Sequence, residues 1–183
     1  GKLPFLEKQA LRGHESSFYR QGSGGLFKQT FHTSGTTGTP ISTTFTLSEL
    51  RESLAVREVR SANWAGVSFS QPRATFSGRM VEPDPDEAEH IYRYNSAEKQ
   101  VYFSPFHLSL DTAENYVSAI VKHKIQWMTG YAVSSYLLAK YILEKELKVQ
   151  GLKAVITTSE KLTPEMRSVM EKAYNCKIYE EYS

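Results

Sequence analysis

Apolar and polar positions change their period several times along this chain, and the changes mark out elements. A short helix is expected around 5–12, and 26–32 and 41–46 read as β-rich segments. Thr46 and Glu49 form a capping-box pattern, and Leu50, Leu54, Val56 and Val59 then carry a helix to about Ala62. Residues 67–69 and 74–76 are short apolar pieces expected as strands. Five acids and two prolines fill 82–89, and 82–99 is expected to be a surface loop.

The second half is more regular. A strand is expected over 101–108, with Asp111 and Glu114 capping a helix to about Lys124. Residues 125–129 read as a strand and 133–147 as a helix. Another strand follows over 153–158. Thr163 then stands as N-cap with Pro164 in the first helical position, in a helix closing near Asn175. Residues 176–179 are the last strand. Strands alternating with helices in this order make βαβαβ, so the fold class is α/β: a partly parallel sheet with flanking helices.

Open parallel sheets bind ligands beyond the carboxyl ends of their strands. Here those ends carry Thr129, Gly130 and Tyr131, then Thr157, Thr158, Ser159 and Glu160, then Tyr179, Glu180, Glu181 and Tyr182. Each could be a solvated loop with an incidental tyrosine. Three polar or aromatic ends on neighbouring strands point instead to the floor of a small-molecule site.

Between the β-rich segments, Thr33, Ser34, Gly35, Thr36, Thr37, Gly38 and Thr39 precede Pro40 without one apolar side chain. Hydroxyls and backbone N–H groups crowded this way suit the oxygens of a phosphate chain. A flexible linker is the competing reading, although threonine is stiff for that use. A Walker loop is excluded: Thr39 and Pro40 stand where Lys and Ser or Thr are needed, and no helix opens there.

Composition narrows the partners. The chain of 183 residues is 40% hydrophobic and 23% charged with net charge +2, and its acids and bases are interspersed. That is an ordinary globular balance, with no nucleic-acid face and no polybasic membrane patch. No apolar run is long enough to span a bilayer, and no signal-peptide pattern opens the chain. Cys176, the single cysteine, rules out an internal disulfide and reads as a buried structural thiol. A cytoplasmic location is expected. His14, His32, His90 and His123 lack metal or triad spacing, and Ser104 and Ser109 lack a nucleophile elbow.

The 33–40 run, with its unbroken Ser-Gly-Thr-Thr-Gly core, resembles the signature loop of the adenylate-forming superfamily of acyl- and aryl-CoA synthetases. Further stretches resemble the phenylacetate–coenzyme A ligase-like branch, which includes relatives linked to capsular polysaccharide biosynthesis. They are 76–79, 104–109, 129–131, 157–162 and 175–183. The resemblance implies that Thr33, Ser34, Gly35, Thr36, Thr37 and Gly38 hold the β- and γ-phosphates of ATP. Ile41 stands where many members have Lys. Ser159, Glu160 and Lys161 are similar to the loop lying against adenine, and Tyr182 to the aromatic residue stacked on it. By the same resemblance His107 stands between the acyl pocket and the phosphates, where it binds phosphate oxygen or gates the acyl site; a histidine satisfied at a strand end is the other reading. Tyr131 is expected to wall the acyl pocket, with Trp127 and Met128 either beside it or in the sheet core.

The activity implied is ATP-dependent adenylation of a small-molecule carboxylic acid, followed by thioester formation, with ATP, Mg2+ and coenzyme A as cofactors. The resemblance also implies that 1–183 is an incomplete portion of the adenylating domain. A metal-serving Glu, a ribose-binding Asp and a Lys-bearing C-terminal domain are absent, so the chain alone is expected to be inactive. Two alternatives stand: a non-catalytic nucleotide- or acyl-binding module, and an adenylate-forming enzyme with an acceptor other than coenzyme A.

Overall fold

The computed structural model describes residues 5, 7–11, 14–18, 27–32, 41–78, 81 and 90–182. Two compact units divide the chain, Gly1–Val56 and Arg57–Ser183.

In the first unit, α1 (Lys8–Leu11) and a 3-10 turn (Glu15–Phe18) precede an antiparallel pair, β1 (Lys28–His32) and β2 (Ser42–Thr46). The register sets Thr30 opposite Thr44, whose hydroxyls are 3.0 Å apart. Phe31 and Phe45 meet edge to face at 5.9 Å. Such cross-strand pairs are what holds a two-stranded ribbon. Residues 33–40, the expected phosphate loop, lie outside the described residues. The capping box forms as expected. Thr46 N–H donates to Glu49 Oε2 at 2.7 Å, Glu49 N–H donates to Thr46 Oγ1 at 3.3 Å, and α2 (Leu47–Arg57) begins there.

The second unit is a six-stranded sheet in the order β4-β5-β3-β6-β7-β8. Its strands are β3 (Arg73–Phe76), β4 (Tyr92–Asn95), β5 (Gln100–Phe103), β6 (Trp127–Tyr131), β7 (Ala154–Thr158) and β8 (Lys177–Glu181). All pairings are parallel except that of the edge strand β4 with β5. The helices α3 (Ala113–Lys122), α4 (Ala132–Glu144) and α5 (Pro164–Tyr174) supply the crossovers, with β6-α4-β7-α5-β8 as the expected βαβαβ run.

Period-two alternation gives the sheet two cores. Met128, Val155 and Ile178 bury with Tyr116, Ile120, Leu138, Ile142 and Met170 of the helices. Trp127, Ala154 and Ile156 bury against Ala62, Ala65 and Val67, with Phe69 and Tyr179 packed beside them. Trp127 and Met128 are both fully buried, so the sheet-core reading of them is correct. Thr163 Oγ1 accepts from Met166 N–H at 3.2 Å, and Asn175 closes α5 in the left-handed region at φ 50°.

Several expectations change. Residues 67–69 form no strand; Gln71 N–H donates to Ser68 O at 3.0 Å in a turn that presses Phe69 on Trp127 at 5.1 Å. The 82–99 stretch, expected to be a surface loop, contains β4, because Tyr92–Asn95 has a ladder partner in β5; residues 82–89 lie outside the described residues. The strand expected to run to 108 stops at Phe103, two residues before Pro105, which has no N–H to give. Asp111 does not cap α3. Thr112 holds the N-cap position and exchanges hydrogen bonds with Ser109, at 3.0 and 3.3 Å, while Glu114 pairs with Lys145 at 3.2 Å.

Candidate functional site at the carboxyl ends of the parallel strands

Parallel pairing forces the chain ends after β3, β5, β6, β7 and β8 onto one edge of the sheet. Tyr131 of β6 stands opposite Thr158 of β7, which stands opposite Glu181 of β8. At Gly130 the two central strands approach so closely that a Cβ would lie 1.9 Å from the Phe76 carbonyl oxygen, and φ is +126°. Tyr131 follows at once, and its hydroxyl accepts from the Gly78 N–H at 3.1 Å. The ring thus bridges the ends of β6 and β3, and it is half-buried.

Ser159 follows β7 in the left-handed region at φ 67°, an uncommon conformation for a residue with a side chain. The turn it makes sends the Glu160 carboxylate to the start of α4, where Oε2 accepts from Val133 N–H at 2.8 Å. Glu160 therefore satisfies one of the orphan donors at that helix N-terminus. Lys161 is exposed. Ser159, Glu160, Lys161, Glu180, Glu181 and Tyr182 together line a cleft of about 530 Å3. The Tyr182 ring is fully exposed, at 104% of its reference area. Glu181 is tied down instead: Arg57 Nε donates to it at 2.8 Å and Ser61 Oγ at 3.0 Å. The cleft offers an aromatic face beside carboxylate acceptors, a combination suited to a planar base bearing amino or hydroxyl groups.

His107 lies apart. Its Nδ1 is 2.7 Å from Ser104 Oγ, and its carbonyl oxygen accepts from Thr112 Oγ1 at 2.7 Å. Tyr116, whose hydroxyl donates to Ser104 O at 2.6 Å, sits so deep that burial raises its pKa well above the ordinary phenol value. His107 follows β5, three strand positions from β7, and is not among the residues that line the cleft.

The structure thus gathers Ser159, Glu160, Lys161 and Tyr182, sets Tyr131 on the adjoining strand and His107 beyond it. Thr33, Ser34, Gly35, Thr36, Thr37 and Gly38, like Arg79 and Ser183, are outside the described residues. Among the described residues no three His, Cys, Asp or Glu side chains converge as a metal cluster. Burial pushes the Cys176 thiol up to about 12, as befits a structural thiol. Arg57 and Ser61 were not singled out by sequence. Their partner is more than a hundred residues away, and no local pattern announces the contact.

No protein-family model matches the chain. It is 27% identical over 119 residues to Protein CapK of Staphylococcus aureus, covering 64% of this chain and 26% of CapK. Among solved structures it resembles 2-hydroxyisobutyryl-CoA ligase in complex with 2-HIB-AMP and CoA, with TM-score 0.60 and 17% identity over 97% of this chain and 39% of that one. It also resembles the anthranilate CoA ligase AuaEII in complex with anthranoyl-AMP, with TM-score 0.56 and 13% identity over 84% of this chain and 28% of that one. The described fold is therefore one shared with part of these CoA ligases, the fold that the sequence resemblance implied. The chain spans about a quarter of CapK and less than two fifths of the 2-hydroxyisobutyryl-CoA ligase. Among the described residues no helix is long and apolar enough to cross a membrane.

Proposed function

We propose that a protein carrying this chain activates a small carboxylic acid with ATP and passes the acyl group to coenzyme A, within the phenylacetate–coenzyme A ligase-like branch. A carboxylate oxygen attacks the α-phosphorus of ATP, the bond to the bridging β-oxygen breaks, and pyrophosphate leaves. The thiolate sulfur of coenzyme A then attacks the acyl carbonyl, the bond to the AMP oxygen breaks, and AMP leaves. Mg2+ would supply charge neutralisation on the phosphates. A cytoplasmic location belongs to the same proposal.

The observation that carries this reading is the cleft shared by Ser159, Glu160, Lys161 and Tyr182 at the carboxyl ends of β7 and β8, in a sheet with the fold of acyl-CoA ligases. Tyr182 offers its exposed face to adenine, and the backbone of Ser159, Glu160 and Lys161 borders the same base. Thr33, Ser34, Gly35, Thr36, Thr37 and Gly38 hold the β- and γ-phosphates, where preorganised donors offset the charge developing on the leaving pyrophosphate. Tyr131 and His107 face the acyl side.

Calorimetric titration with MgATP tests this. The wild-type chain binds, and Tyr182→Ala weakens binding about tenfold, the cost of one stacking face. Thr36→Val weakens ATP and tripolyphosphate alike. Undiminished ATP affinity in Tyr182→Ala would sink the adenine assignment. Exchange of pyrophosphate into ATP that depends on an added carboxylate, in a protein extending beyond this chain, tests the adenylation step itself.

A further inference from the structure

Tyr182 has a fully exposed ring, yet its backbone neighbour is among the most firmly held side chains at the strand ends. Glu181 keeps only 12% of its side-chain exposure. Both carboxylate oxygens are engaged: Oε1 by Arg57 Nε at 2.8 Å, and Oε2 by a second Arg57 nitrogen at 3.3 Å and Ser61 Oγ at 3.0 Å. Two parallel N–H···O bonds from one guanidinium fix direction as well as distance. The guanidinium in turn lies 5.2 Å over the Phe69 ring, which restricts its own freedom.

The grip on β8 is repeated two residues back. Trp64 meets Tyr179 edge to face at 5.0 Å. Tyr179 and Glu181 point to the same side of the strand, so the helical stretch following Arg57 holds one face of β8 at successive positions. That stretch contains a π-helical turn, Glu58–Ala62, closed by Asn63 N–H donating to Glu58 O at 2.8 Å. Such turns are rare and recur at functional sites. Here the turn delivers Arg57 and Ser61 to one carboxylate.

We propose that Arg57 and Ser61, acting through Glu181, are positioning residues for Tyr182, and thereby for the base of the bound nucleotide. The second clause rests on the nucleotide reading above; the first does not. Backbone fixed at Glu181 before the ligand arrives leaves less of Tyr182 to be ordered in the binding step. The clamp is consequently felt in base affinity and not in phosphate affinity.

Two measurements on the 183-residue chain separate these claims. Without nucleotide, hydrogen exchange at the Glu181 and Tyr182 amides quickens about tenfold in Arg57→Ala, while exchange in the α4 and α5 interiors stays as in wild type. In titrations, Arg57→Ala weakens ATP about tenfold and leaves tripolyphosphate unchanged, and Arg57→Lys falls between, because a point charge cannot make both bonds. Should Arg57→Ala not fold, Ser61→Ala removes one bond of the three, with an expected effect of about threefold on ATP alone. Unchanged exchange at Tyr182 in a folded variant overturns the positioning role. So does a parallel loss of ATP and tripolyphosphate, which is the signature of general loosening. A wild-type chain that binds no ATP overturns the nucleotide reading and the base-positioning clause, while the exchange contrast still decides whether the clamp orders Tyr182.

Discussion

Gly130 illustrates how a single residue fixes the geometry of the strand-end row. Its missing Cβ lets β6 lie against the Phe76 backbone, and Tyr131 then turns its hydroxyl onto Gly78. Gly130→Ala is expected to cost about 4 kcal/mol or more, because the obstructing atoms are backbone and φ is already positive. Gly66→Ala and Gly151→Ala are the controls: both also have positive φ, but open space surrounds the added carbon, so about 1 kcal/mol of strain is expected. Urea unfolding of the three variants decides it, and a Gly130→Ala protein as stable as the controls would contradict the close-approach argument. The sequence marks Gly130 as part of a strand-end segment, but the need for glycine there is invisible without knowing that β3 runs alongside.

At the scale of elements, two helix starts are legible from local pattern alone. The Thr46 and Glu49 box and the Thr163 and Pro164 start each lie within one helical turn, and both form. Ser159, Glu160, Lys161 and Tyr182 come together because consecutive parallel strands must end on one edge. Strand β4 was missed because Tyr92–Asn95 is a polar edge strand with one ladder partner, so burial leaves no alternating stripe in its sequence. The α4 start falls within one residue of the expected 133, but its cap is hidden in the sequence, since the carboxylate that accepts from Val133 N–H is Glu160, twenty-seven residues downstream. Glu160→Ala should lower stability by about 1 kcal/mol, and Glu160→Gln by less, since an amide oxygen can still accept from Val133 N–H. Denaturant unfolding gives the size, and faster exchange of the Val133 amide gives the location. Equal stability of wild type and Glu160→Ala would show that the cap contributes nothing. Because Glu160 also borders the cleft, the Gln variant separates helix capping from any charge effect on ligand binding.

For the stability of the molecule as a whole, His123 at the far edge of the same sheet makes one contribution that depends on pH. His123 follows α3 and stacks on Tyr94 of β4 at 4.2 Å, with Tyr92 edge-on at 5.4 Å and its hydroxyl 3.4 Å from Nε2. Burial among these rings holds its pKa below the ordinary value of 6.5, and the adjacent Lys122 charge adds to the effect. Near pH 6 the unfolded chain therefore binds more protons at this position than the folded one. Stability contributed by the neutral ring is complete above pH 6.5 and is lost as pH falls through the folded pKa. His123→Phe keeps an aromatic ring against Tyr94 and removes the titration. The difference in unfolding free energy between wild type and His123→Phe, measured from pH 8 to 5 at constant ionic strength, should shift against wild type as pH drops below 6.5. Carboxylates common to both proteins cancel in that difference, so the slope belongs to His123. A difference that stays flat across the range would mean that the ring is equally free to ionise in the folded and unfolded chains.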